Sequence, residues 1–157
     1  MNILDILTPA RAQAGVAATS KKRVIEHAAK AVEKALGSND LAGSVFDALL
    51  ARERLGSTAL GEGVAVPHCR LANCTQTVGL LLRLNDGIDF DAPDGKPVDL
   101  LFVLVVPQEA TDEHLRLLGR VAAMFNDPQV RADLRAAQSS DELYERVQVF
   151  ERDAATG

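Results

Sequence analysis

Two cysteines, Cys69 and Cys74, are all that this chain of 157 residues contains, too few for a disulfide framework at such a length. Basic residues are outnumbered as well. The 17 Lys and Arg against 22 Asp and Glu leave a net charge of −5, which argues against nucleic-acid binding, since that needs a basic face. No apolar run approaches the ~20 residues of a membrane span, and the start, Met1-Asn-Ile-Leu-Asp5, lacks the basic and apolar segments of a signal peptide. Missing too are internal repeats, low-complexity stretches, the Gly-x-x-x-x-Gly-Lys-Ser/Thr run of a nucleotide loop and the Gly-x-Ser-x-Gly elbow of a serine hydrolase. What remains is one soluble domain over residues 1–157, with 47% hydrophobic residues to build its core. It is expected in the cytoplasm, with its last few residues disordered and without membrane insertion.

The apolar periodicity changes along the chain. Ser20 to Leu36 carries Val24, Ala28, Ala31, Val32 and Ala35 at helical spacing, with Gly37 as the stop. A second helix is predicted from about Asp40 to Leu55, with Leu41, Val45, Ala48 and Leu49 inward and Gly56 at its end. The period then becomes extended. Val64, Val66 and His68 share parity in one strand, opposite Ala65, Pro67 and Cys69. Val78–Leu84 and the almost wholly apolar Val98–Val106 are further strands, the latter central and covered on both faces. Asp86-Gly87 and Asp94-Gly95 supply turn chemistry between them.

Three helices follow. Thr111 is read as an N-cap, with Leu115, Leu118, Val121, Ala122 and Phe125 as the apolar stripe behind it. Asp127-Pro128 opens a short helix to about Ala137, and Ser139 with Glu142 forms a capping box before Leu143, Val147 and Phe150. Helices at both ends of a strand-rich middle imply an α/β sandwich, with a mixed sheet of about five strands flanked by helices on both sides.

The candidate chemistry centres on His68. Pro67 stiffens the backbone just before it, and Gly61 and Gly63 let the chain turn tightly upstream. A neutral imidazole is a competent nucleophile near neutral pH. Gly56-Ser57-Thr58 adds hydroxyls and a tight turn suited to an anion. Arg52 has two readings that spacing cannot separate: a cation complementing a helix C-terminus, or a planar fork for a phosphoryl or carboxylate group. His114, in the first turn of the third predicted helix, is either an anion-binding ring or a half-buried neighbour of Leu118. His27 is read as surface. His68, Cys69 and Cys74 are three potential zinc ligands within seven residues, yet His68 and Cys69 face opposite ways in a strand and no further ligands complete a set. No metal is therefore expected.

The run Arg52-Glu53, Gly56-Ser57-Thr58 and Gly63-Val-Ala-Val-Pro-His68-Cys69 resembles the active-site motif of the mannitol/fructose class of enzyme IIA components in the bacterial phosphoenolpyruvate-dependent phosphotransferase system. A second block, Pro97 to Pro107 followed by Glu113-His114-Leu115, resembles the same family. Leu134-Arg-Ala-Ala-Gln-Ser-Ser-Asp-Glu-Leu-Tyr144 is most similar to its nitrogen-regulatory branch, and with Ser20-Lys-Lys-Arg23 the resemblance covers nearly the whole chain.

That resemblance implies the enzyme IIA fold and a phosphotransferase-type phosphocarrier with a covalent phosphohistidine. His68 would be phosphorylated on Nε2 by a small HPr-like carrier protein of the nitrogen type. His114 would hydrogen-bond the phosphoryl group and Arg52 would be the active-site arginine; Ser57 and Thr58, by the hydroxyls and tight turn noted above, are expected to bind the phosphoryl oxygens. No cofactor is implied. Regulated targets in that branch include potassium transport proteins and sensor kinases, and a monomer or weak homodimer is expected. Cys69 stands where the family often has glycine. Two alternatives stay open: a sugar-specific IIA passing phosphate to a IIB partner, and a module that only binds an anion. The lack of a fused IIB or membrane domain in the sequence favours the regulatory reading over the first.

Overall fold

Strand Val98–Pro107 explains the architecture, because its side chains alternate into two separate cores. Leu101, Val103 and Val105 belong to one, Leu100, Phe102, Leu104 and Val106 to the other, and all seven are essentially without solvent contact. A strand apolar on both faces must be covered twice, and helices do this on each side. The computed structural model describes residues 1–37, 42–110 and 112–156.

Along the chain run β1 (Ala12–Val16), α1 (Lys21–Leu36), α2 (Ala42–Leu55), β2 (Ala59–Gly61), β3 (Val64–Ala65), β4 (His68–Leu71), β5 (Val78–Ile88), β6 (Val98–Pro107), α3 (Asp112–Asn126), α4 (Pro128–Ala136) and α5 (Ser140–Thr156). The mixed sheet has six strands in the order β1-β5-β6-β3-β2, and β4 pairs with β6 beyond β3. β5 runs antiparallel to β6, whereas β3 and β4 run parallel to it. Helices α1 and α2 pack on one face, and α3, α4 and α5 on the other. The expected mixed sheet between two helical layers is thus found. Its extra strand arises because Val66-Pro67 interrupts what parity suggested was one strand: Pro67 has no N–H to donate to a ladder. The parity itself holds, since Val64 and Val66 join the core beneath α3 while Ala65 and Cys69 join the core beneath α1 and α2.

Helix α1 starts at the Ser20 cap, whose hydroxyl accepts from the Arg23 N–H at 3.2 Å, and ends at Gly37 in the left-handed conformation. Its buried face is broader than predicted, adding Ile25 and Ala29 to Val24, Ala28 and Val32. In α2, Val45 and Leu49 are buried as expected; Asp40 and Leu41, like the proposed cap Thr111, lie outside the described residues. Asp127 caps α4 through the Gln129 N–H at 2.9 Å, with Pro128 in the first turn. The Ser139 hydroxyl accepts from the Glu142 N–H at 3.1 Å, and α5 continues to Thr156.

Two expectations fail. In α3, Val121 and Phe125 are buried as expected, but the rest of the core face is His114, Leu117 and Met124, and Leu115 is 66% exposed. Apolar residues occupy both the 115/118/122 and the 117/121/124 rows, so the period alone did not select the inner one. Asp86-Gly87 is not a turn but part of a long β5, in a stretch where its register with β6 shifts between Arg83 and Ile88. Gly87 is needed there because a Cβ would lie 2.9 Å from the Cβ of Pro97. Ala92–Gly95 does form the expected turn, closed by Gly95 N–H to Ala92 C=O at 3.0 Å.

Candidate active site

The β2–β3 hairpin brings the motif to the sheet edge. Glu62 and Gly63 both have positive φ, 57° and 78°, as a tight two-residue hairpin turn requires. Arg135 from α4 fastens this turn, donating to the Glu62 carbonyl at 2.6 Å and to the Asp99 carboxylate of β6 at 3.0 Å. Beyond the turn, the Pro67 carbonyl accepts from Leu104 N–H at 2.9 Å, and His68 then pairs in register with Leu104.

Alternation along β4 sorts the next four residues. Cys69 and Leu71 enter the core under α1 and α2. His68 and Arg70 face the other way, toward a cleft of about 620 Å³ that they line with Arg52, Leu55 and His114, and whose wall Cys69 also reaches although it is 5% exposed. A second cleft of about 250 Å³ is lined by His68, Arg52, Ser57, Thr58, Leu60 and Leu118. The rings of His68 and His114 stand 5.2 Å apart between centroids, tilted by 48°. The structure therefore gathers all five residues named from the sequence: Arg52, Ser57, Thr58, His68 and His114.

His68 Nδ1 lies 2.8 Å from the Val66 carbonyl. A carbonyl only accepts, so Nδ1 carries the hydrogen and, in the neutral ring, Nε2 carries the lone pair. Burial lowers the pKa of His68; the bond to Val66 and the charge of Glu53 oppose this in part, and the charge of Arg52 adds to it. Burial also lowers the pKa of His114, with help from His68 and Arg70. Both rings are thus biased toward the neutral form near pH 7. His114 Nδ1 is buried and has no hydrogen-bond partner among the described residues.

Arg52 fits its reading as a helix-end cation and is placed for the other. From the last turn of α2 it donates to the Gly56 carbonyl at 3.0 Å, and it also borders both clefts beside His68. The hydroxyls of Ser57 and Thr58 are already engaged. Ser57 donates to the Phe90 carbonyl at 2.7 Å, and Thr58 donates to the Glu53 carboxylate. These two residues shape the cleft, with their hydroxyl hydrogens pointing elsewhere. Cys69 and Cys74 are free and buried, and burial pushes the Cys69 thiol up to about 12. His27, read as surface, is instead half-buried and lies apart, its Nε2 2.6 Å from the Gln13 side chain on β1. Among the described residues no group of three or more His, Cys, Asp or Glu is arranged to hold a metal, and no helix is long and apolar enough to cross a membrane.

Sequence reasoning missed Glu53 and Arg70. The alternation from His68 was a signal for Arg70, two residues on. For Glu53 the signal was its place beside Arg52 in the motif that carries the resemblance, yet a buried carboxylate within a helix looks like a solvated one until the fold is known.

Residues 5–149 match the family model described as "Phosphoenolpyruvate-dependent sugar phosphotransferase system, EIIA 2". The chain belongs to this enzyme IIA family. Within it, the chain is 50% identical over 143 residues to a nitrogen regulatory protein of Pseudomonas aeruginosa, covering 91% of this chain and 92% of that one. The crystal structure of nitrogen regulatory protein IIA-Ntr from Neisseria meningitidis superimposes with a TM-score of 0.83 at 39% identity, over 91% of this chain and 97% of that one. The mannitol IIA of Escherichia coli shares the fold alone, with a TM-score of 0.69 at 23% identity over 85% and 92% of the two chains. As an enzyme IIA, the chain holds Cys69 packed in the core, on the opposite face of β4 from the histidine.

Proposed function

We propose that this enzyme IIA is a nitrogen-type phosphocarrier and regulator that accepts a phosphoryl group on Nε2 of His68. The observation that carries the reading is the His68 ring, bound through Nδ1 to the Val66 carbonyl, with Arg52 and His114 around the same cleft. The donor is a histidine-phosphorylated, HPr-like carrier of the nitrogen type. The Nε2 lone pair forms the new P–N bond while the donor's P–N bond breaks and its electron pair returns to the donor ring. No proton has to leave Nδ1 in that step. Transfer of this kind needs in-line positioning and compensation of the equatorial oxygens, which the Arg52 fork and the His114 ring on the same cleft are suited to provide. No nucleotide or metal enters the step.

The phosphorylation state then acts as the signal. In the cytoplasm, the added charge beside Arg52 and Arg70 changes which partner surface fits, with potassium transport proteins and sensor kinases as the regulated class. The 50% identity to a nitrogen regulatory protein supports this reading over a sugar-specific IIA that hands phosphate to a IIB partner. The test is intact mass after incubation with phosphoenolpyruvate, enzyme I and the nitrogen-type carrier. One acid-labile phosphoryl adduct, absent in His68→Ala, is expected. No adduct with an active donor chain overturns the proposal, as does an undiminished adduct in the variant. Rapid onward transfer to a IIB protein would favour the sugar-specific role.

A further inference from the structure

The bonds that hold the His68 ring lead back to a carboxylate that takes no part in the acceptor chemistry. The Glu53 side chain is only 2% exposed, and a charge buried to that degree is costly unless donors surround it. Three donors do. Lys21 Nζ is 3.0 Å away, the Thr58 N–H is at 3.3 Å, and the Thr58 hydroxyl completes the set. Thr58 in turn offers its carbonyl to the Val66 N–H at 3.0 Å, and the Val66 carbonyl takes the His68 Nδ1–H at 2.8 Å. Val66 precedes a proline, which confines it to extended conformations and keeps its carbonyl aimed.

We infer that Glu53 is a positioning residue. Paired with Lys21, it anchors Thr58, and through Thr58 and Val66 it holds the His68 ring with the hydrogen on Nδ1 and Nε2 free. The N–H and C=O of one residue belong to different peptide planes, so this chain of bonds transmits position rather than polarisation. The same corner is braced from the loop after β5, where Lys21 lies over the Phe90 ring at 4.7 Å and meets Asp91 at 3.3 Å. Its catalytic value rests on the phosphocarrier reading; its effect on the ring does not. The charge of Glu53 also favours the protonated form of His68, which gives the variant a second signature.

The experiment is ¹⁵N NMR of the histidine rings in wild type, Glu53→Gln and Lys21→Gln, with phosphoryl uptake measured in parallel. Wild type should show a single Nδ1–H tautomer at His68. Glu53→Gln should show mixed tautomers, titrate His68 at lower pH, and slow kcat about tenfold with little change in KM for the donor, the scale of other second-layer substitutions. Lys21→Gln should shift the tautomer in the same direction, and it decides the matter if Glu53→Gln does not fold. A folded variant that is merely less stable, with the wild-type tautomer and rate, overturns the inference. A wild-type protein that takes up no phosphoryl group overturns only the phosphocarrier reading, because the tautomer is read on the unphosphorylated chain.

Discussion

His68 and His114 face each other at 5.2 Å across the cleft, one from a short edge strand and the other from the first turn of a helix on the same side of the sheet. Their partners differ. Among the described residues His68 has its Nδ1 tied to a carbonyl, which leaves its Nε2 free as the proposed acceptor, while His114 Nδ1 has no partner. His114→Ala should therefore slow phosphoryl uptake by about 10–100-fold, the worth of a hydrogen bond to a charged group, and still leave one phosphoryl group per chain at the end point. Stopped-time mass spectra separate the rate from the stoichiometry.

Arg52→Lys keeps the charge and loses the planar fork. Uptake should fall by about 10–100-fold. Thermal unfolding should move little, because the Gly56 carbonyl at the end of α2 accepts from an ammonium as well. Equal rates for the two proteins would show that Arg52 serves only the helix end.

All three histidines, His27, His68 and His114, have pKa values lowered by folding, in each case chiefly by burial. Below the unfolded value of about 6.5 the unfolded chain therefore binds more protons than the native one. Their contribution to stability is complete above that pH and is lost as pH falls through the native pKa values. Urea unfolding at pH 7.5 and 5.5 should show the loss. His27→Gln, remote from the cleft, should flatten the slope without altering phosphoryl uptake.

Cys69 follows His68 directly, yet its thiol is buried with a pKa raised to about 12. The thiolate is the nucleophile, so the native protein should resist iodoacetamide at pH 8 and react only when unfolded. Fast alkylation of Cys69 in the folded protein, located by peptide mass, would contradict the burial.

Gly63 sits at φ +78°, and an added Cβ would lie 2.5 Å from Arg135 Nη2. Gly63→Ala should cost about 1–2 kcal/mol from the backbone alone and more from displacing Arg135. A lowered Tm together with slower uptake would report that the hairpin turn and the strand of His68 are one unit.

Much of this was legible beforehand. β6 announced itself as an unbroken apolar run, and α1 through its Ser20 cap and Gly37 stop, because these signals are local. The inner face of α3 was not, since two apolar rows compete there and only packing against β6 selects Leu117 over Leu115. Asp86-Gly87 has turn chemistry, but the neighbouring Pro97 uses the missing side chain for close approach instead. At the site, the motif singled out His68 and the resemblance implied roles for Arg52 and His114; the structure brings the three around one cleft. The partners of Ser57 and Thr58 lie on Phe90 and Glu53, distant or hidden in sequence, so their engaged hydroxyls appear only in three dimensions.

The register of His68 with Leu104 has a final consequence. Leu104 belongs to the most deeply enclosed of the described strands, so the proposed acceptor is seated on the part least able to yield. A phosphoryl group attached there would repaint the surface rather than rearrange it. A partner would have to read the difference by touch, as charge at a fixed address, and not by any motion relayed through the fold.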